Sequence, residues 1–144
     1  MRHLFFLLAA MLMFSNCTIA QQQQEPWSKN QLMEPGTLAS WINAGKAGSI
    51  LILTVGPDAV IKGSVDIGPA QELANIEKLK SYLSNVPKDK EVVIYCGCCP
   101  FDRCPNVRPA FKVLKDMGFK NPRLLNLSKN VKADWLDKGY PTND

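Results

Sequence analysis

The chain has 144 residues, 46% of them hydrophobic, with seventeen Lys and Arg against thirteen Asp and Glu. That is one ordinary domain's worth of chain, enough for a single sheet-and-helix core. The net charge of +4 is spread over scattered lysines such as Lys78, Lys80, Lys112 and Lys115, which argues against a nucleic-acid-binding face.

Met1-Arg2-His3 is a short basic start, and Leu4 to Phe14 is almost wholly apolar. Thr18-Ile19-Ala20 then places small residues where a signal peptidase cuts, ahead of Gln21. This is the pattern of a secretory signal peptide over residues 1–20, too short for a comfortable membrane span of about 20 residues. Lipid anchoring at Cys17 is the alternative, and Phe14-Ser15-Asn16 before it fits that signal poorly. Removal of residues 1–20 takes away Arg2, His3 and Cys17, leaving sixteen basic residues against thirteen acidic, four cysteines and no stable membrane span. The expected location is periplasmic or secreted. Residues 21–32, opening with Gln21 to Gln24, read as a linker into a domain over residues 33–144, and Trp27 within the linker suggests no role.

Thr37 to Ala44 predicts a short helix, with Thr37 placed to cap it and Gly45 to stop it. Ser49 to Val55 holds Ile50-Leu51-Ile52-Leu53, an apolar run suited to a strand covered on both faces. Gly63 to Gly68 predicts a short edge strand. From Glu72, apolar residues at Leu73, Ile76, Leu79, Tyr82 and Leu83 fall at helical spacing until Pro87 ends the run. Val92 to Tyr95 predicts a second strong strand. Pro109 to Met117 predicts a helix with proline near its first turn and Gly118 as its stop. Arg123 to Leu127 predicts a third strand and Val131 to Leu136 a last short helix. Trp41 and Trp135 are expected as core or half-buried anchors. Strand and helix alternate, so the expected fold class is α/β, a parallel sheet flanked by helices on both faces.

Four of the five cysteines, Cys96, Cys98, Cys99 and Cys104, fall within nine residues between the strand Val92–Tyr95 and the helix near Pro109. Such a turn lies at the carboxyl edge of a parallel sheet, where ligands bind. A reactive sulfur is a thiolate, and backbone N–H groups ahead of a helix stabilise that anion. Arg103 and Arg108 add fixed positive charge for a thiosulfate, persulfide or sulfonate partner. A cation at a helix start opposes the dipole, which favours an anion-binding use for Arg108. Pro100, Pro105 and Pro109 restrict the loop. Asp66 and Asp102 read as solvated loop carboxylates, and Tyr95 as packing under the loop.

These residues resemble the rhodanese-like domain family, single-domain sulfurtransferases and their relatives. The resemblance runs from about Met33 to Thr142 and is carried by Val92-Val93-Ile94-Tyr95-Cys96, Arg108-Pro109-Ala110, Leu114 to Phe119, Arg123-Leu124-Leu125-Asn126-Leu127 and Trp135 to Pro141. It implies a rhodanese-like fold, a persulfide carried on Cys96, and Arg108 as the arginine that holds the anionic substrate. The eleven residues Gly97 to Val107 make a longer loop than the family's, with three added cysteines. Thr54 and Gly56 replace the family's acidic residue and arginine after the first strand, and Lys62-Gly63 its histidine-glycine pair.

Cys98, Cys99 and Cys104 admit three readings: structural disulfides in an oxidising compartment, a redox or sulfur relay, and a soft-metal site built on Cys96-Gly97-Cys98. Sequence cannot choose among the three pairings that four cysteines allow. The two-pair zinc spacing is absent, so neither a metal site nor a cofactor is assigned. The expectation is an exported rhodanese-like sulfurtransferase or persulfide carrier. Cys96 is catalytic, Arg103 and Arg108 bind substrate, and the partners are a small anionic sulfur donor and a thiol or protein acceptor. The alternatives are a thiol–disulfide redox protein using the cysteine cluster, or a non-catalytic soft-metal or partner-binding module on the same fold.

Overall fold

The computed structural model describes residues 25–143. The signal-peptide reading, Cys17 and residues 21–24 of the linker lie outside the described residues. Among the described residues, no helix is long and apolar enough to cross a membrane.

Five strands, β1 (Leu32–Met33), β2 (Ile50–Thr54), β3 (Ser64–Asp66), β4 (Glu91–Tyr95) and β5 (Asn121–Leu125), form one sheet in the order β1-β5-β4-β2-β3. Every pairing between them is parallel. The helices are α1 (Pro35–Asn43), α2 (Leu73–Leu83), α3 (Val107–Asp116) and α4 (Val131–Asp134). The fold is α/β, an all-parallel sheet with helices on both faces, as expected.

The apolar runs of β2 and β4 follow from burial on both faces. Because side chains alternate along a strand, β4 feeds two separate cores. Val92 and Ile94 join Leu79 and Leu83 of α2 and Phe111 and Leu114 of α3, and Cys96 continues that side. Val93 and Tyr95 join Leu38 and Ile42 of α1 and the fully buried Trp135. Tyr95 therefore does not lie under the cysteine loop. It faces the opposite core, where its hydroxyl accepts from the Ile61 N–H at 3.2 Å and pairs with Ser64 Oγ at 3.0 Å.

Several boundaries differ from expectation for local reasons. Helix α1 starts at Pro35, earlier than Thr37, because proline suits the first helical position. Helix α3 likewise starts at Val107, placing Pro109 in its first turn. Strand β5 is shifted two residues toward the N-terminus and contains Pro122. That proline is tolerated because β1 covers β5 only at Leu124 and Leu125, leaving one side of Pro122 without a strand partner. Strand β1 was not expected: two residues are too few for a period to show. The last helix ends at Asp134, and Leu136–Lys138 continues as a 3-10 turn.

The segment read as linker is packed onto the domain over its described part. Trp27 sits 5.7 Å from the Phe111 ring of α3 and 6.2 Å from the Phe101 ring of the cysteine loop.

Candidate active site

Cys96 follows β4 directly and is 2% exposed. Its neighbour strand β2 ends in the buried Thr54, whose hydroxyl donates to the Asp58 carbonyl at 3.2 Å and accepts from the Gly56 N–H at 3.4 Å. The Val55 N–H donates to the Tyr95 carbonyl at 2.9 Å, carrying the pairing of β2 and β4 to the strand ends. Together these bonds hold Gly56 against the thiol. A Cβ at position 56 would lie 2.7 Å from Cys96 Sγ, so only glycine fits there. Gly56→Ala is expected to destabilise the fold by about 1–3 kcal/mol through overpacking at the strand ends. Chemical denaturation measures it, and an unchanged midpoint would mean that the strand ends yield freely.

The loop after Cys96 is tied down along its length. The Gly97 carbonyl accepts from the Val131 N–H at 3.0 Å, and a Cβ on Gly97 would meet the Val131 side chain at 2.9 Å. The Phe101 N–H donates to the Leu127 carbonyl at 3.0 Å, and Phe101–Arg103 forms a 3-10 turn. That turn sends Cys104 back into the α2/α3 core, where it is fully buried. Cys98 is exposed and Cys99 half-buried. All four cysteines are unpaired, and their Sγ atoms lie within 4.8 Å of one another. Cys96 Sγ is 3.3 Å from Cys98 Sγ, and Cys98 Sγ is 3.0 Å from Cys99 Sγ.

Asn106 completes the site and was not singled out from the sequence. It is the N-cap residue of α3, where an asparagine side chain ordinarily accepts from a helix N–H. Here it makes no such cap bond. Its Nδ2 donates to Cys96 Sγ at 3.4 Å, and its Oδ1 accepts from the Gln71 N–H at 3.0 Å. An asparagine ahead of a helix looks like an ordinary cap in sequence. The fold spends this buried amide on the thiol instead.

These neighbours set the protonation of the cluster. The Cys96 thiol is lowered to about 5, chiefly by the adjacent Cys104 thiol acting as proton donor, against the opposing effect of burial. The Cys98 backbone N–H, the Asn106 amide and the Cys98 thiol add to the lowering. Cys98 is pushed up to about 12 by burial and by the thiols of Cys99 and Cys96. Cys104 is raised, first by its bond to Cys96 and then by burial. One thiolate, on Cys96, with Cys98 and Cys104 protonated beside it, is the resulting state.

The two arginines of the loop stand in different settings. Arg108, at the second position of α3, donates to the Glu25 carboxylate at 2.5 Å and to the carbonyls of Asp102 and Cys104 at 2.5 and 3.4 Å. Its guanidinium also lies 5.5 Å from the Trp27 ring centre. These contacts clamp the loop to the N-terminal segment. Arg103 is exposed on the 3-10 turn, one residue from Cys104. Asp66 and Asp102 are both exposed, as expected of solvated carboxylates.

No family model matches the chain, and no curated protein sequence matches it. Solved structures do match. The Alr3790 protein from Anabaena sp. superposes with a TM-score of 0.58 at 21% identity, over 77% of this chain and 90% of that one. A protein from Lactobacillus plantarum gives 0.58 at 16% identity, over 80% of this chain and 89% of that one. A form of EanB carrying a cysteine persulfide, with ergothioneine, gives 0.53 at 19% identity, over 77% of this chain and 27% of EanB. At these identities the likeness establishes the fold and leaves the chemistry to the site.

Proposed function

We propose that the protein is an exported sulfurtransferase or persulfide carrier with sulfane sulfur held on Cys96. The observation that carries this is the placement of Cys96 Sγ at the carboxyl end of a central strand, with a buried amide and a neighbouring thiol turned toward it. A thiolate so placed attacks the outer sulfur of a donor such as thiosulfate. A sulfur–sulfur bond forms on Cys96, the donor's own sulfur–sulfur bond breaks, and sulfite leaves with the electron pair. A nucleophilic acceptor, a thiol or cyanide, then takes the outer sulfur and restores the Cys96 thiolate. Exposed Arg103 offers positive charge to the anionic donor, while Arg108 and Glu25 keep the loop in place. The presence of a cysteine persulfide in EanB supports the reading by analogy of fold.

The test is intact mass of the reduced, chelator-treated protein before and after thiosulfate, with peptide mapping of the loop. One added sulfur on Cys96, removed by cyanide, is the expected result. Loss of two hydrogens without sulfur gain would instead favour thiol–disulfide chemistry, which the 3.3 Å contact of Cys96 with Cys98 also permits.

The pH dependence follows with a definite sign. Because the Cys96 thiol is lowered to about 5, the thiolate persists well below the range of an ordinary cysteine, about 8.5. The rate of sulfur loading should stay level from pH 8 down to about 6 and fall as the pH drops through 5. A rate that halves near pH 8 to 9 would assign the reactive sulfur to an unperturbed thiol.

A further inference from the structure

The cysteine spacing contains no separated pair of the kind that frames a zinc site, yet the fold gathers the sulfurs as such a pair of pairs would. The 3-10 turn Phe101–Arg103 reverses the loop and returns Cys104 to Cys96, and Cys98 and Cys99 lie beside them. We infer that Cys96, Cys98, Cys99 and Cys104 form a binding site for one thiophilic d10 ion, Zn²⁺ or Cu(I). Two metal–sulfur bonds laid end to end reach about 4.6 Å, and the edge of a tetrahedral four-sulfur site is about 3.8 Å. The four Sγ atoms, all within 4.8 Å of one another and with contacts of 3.3 and 3.0 Å, bracket that edge to within about an ångström, so small side-chain rotations bring all four onto one central ion.

Three further features suit the site to that use. Sulfur-only ligation favours Zn²⁺ and Cu(I) over the hard divalent ions, which take oxygen. Cys96 and Cys104 are buried in the core, so half of the ligand set is held by packing. Cys98 is exposed, which gives the ion a route in and out. The Asn106 Nδ2 bond to Cys96 Sγ then serves as the outer hydrogen bond that orients a ligand. Binding releases one proton for each thiol still protonated, and nothing is oxidised or reduced. Because ligation occupies the sulfur that attacks the donor, a bound ion withholds Cys96 from sulfur loading. That last consequence rests on the function proposed above; the metal site itself does not.

The test uses the full chain, reduced, stripped with chelator and kept free of oxygen. Zn²⁺ and, separately, Cu(I) are titrated against a chromophoric chelator, and Co²⁺ serves as a spectroscopic probe. The expected result is one ion bound per chain by at least one of the two. Co²⁺ should show tetrahedral d–d bands with sulfur charge-transfer absorption. Cys98→Ser and Cys99→Ser alter ligands outside the core, so the fold should persist while affinity falls at least tenfold in each. Absence of stoichiometric binding overturns the inference, as does binding that both variants retain, or an octahedral Co²⁺ spectrum. Sulfur uptake by metal-free protein is measured in parallel. Uptake with no metal binding sinks the metal site and leaves the sulfur-carrier function standing. Metal binding with no uptake does the reverse. Uptake that the ion blocks and chelator restores supports both.

Discussion

Cys96→Ser should abolish sulfur loading from thiosulfate and reduce thiocyanate formation in the presence of cyanide by at least about a thousandfold, the scale on which loss of a covalent nucleophile is felt. Serine keeps the shape of the buried side chain and is only slightly smaller, so the fold should survive. The contact with Gly56 relaxes slightly, since oxygen is smaller than sulfur. Neither Cys104 nor Cys98 is well placed to take over. Cys104 is fully buried and does not lie at a strand end. Cys98 is reachable, but it is held in the protonated form at neutral pH. Thiocyanate produced at the original rate by the serine protein would remove Cys96 from the chemistry and make Cys104, which lies close to the start of α3, the next candidate.

Asn106→Asp should have the second largest effect. The substitution keeps an oxygen for the Gln71 N–H but replaces the amide that donates to Cys96 Sγ with a carboxylate. A buried negative charge then faces a thiolate, so the Cys96 thiol rises and the acid limb of the rate profile moves toward neutrality. Sulfur loading at pH 6 should fall by about twofold for the first unit of that rise and more steeply, toward about tenfold per unit, once the thiol titrates above the assay pH. Asn106→Ala is the companion. It removes the donor without adding charge and leaves the Gln71 N–H without its partner, so it should cost stability, about 1–3 kcal/mol, along with a smaller rate loss. Equal pH profiles for wild type and Asn106→Asp would mean that the amide positions the loop without acting on the sulfur.

The sheet-and-helix order was legible because the signals for it are local and strong. The runs Ile50-Leu51-Ile52-Leu53 and Val92-Val93-Ile94 have no polar break, and α2 keeps its apolar spacing over three turns. The position of the site was legible too, since a strand followed by four cysteines and a helix start puts sulfur at the sheet edge. What escaped reading depends on contacts made across the fold. Asn106 takes its role from a thiol ten residues away, and Gly56 from a strand that pairs with its own. Arg108 carries the charge expected of an anion site, but Glu25 lies against it only after the N-terminal segment folds back across Trp27. The convergence of the four sulfurs depends on a 3-10 turn too short to show in any periodicity.

The alternation of β4 between two cores sets where this protein can change length. Losing or gaining one residue within Glu91–Tyr95 would exchange the places of a phenol and a thiol, turning the sulfur toward α1 and leaving Asn106 with no partner. Changes inside Gly97 to Pro105 carry no such penalty of phase, because both ends of that loop are anchored separately, at Val131 and at α3. Insertions and deletions accepted by descendants of this chain should therefore crowd into the loop and spare the strand. The length of the loop can then drift around a sulfur whose own position is locked.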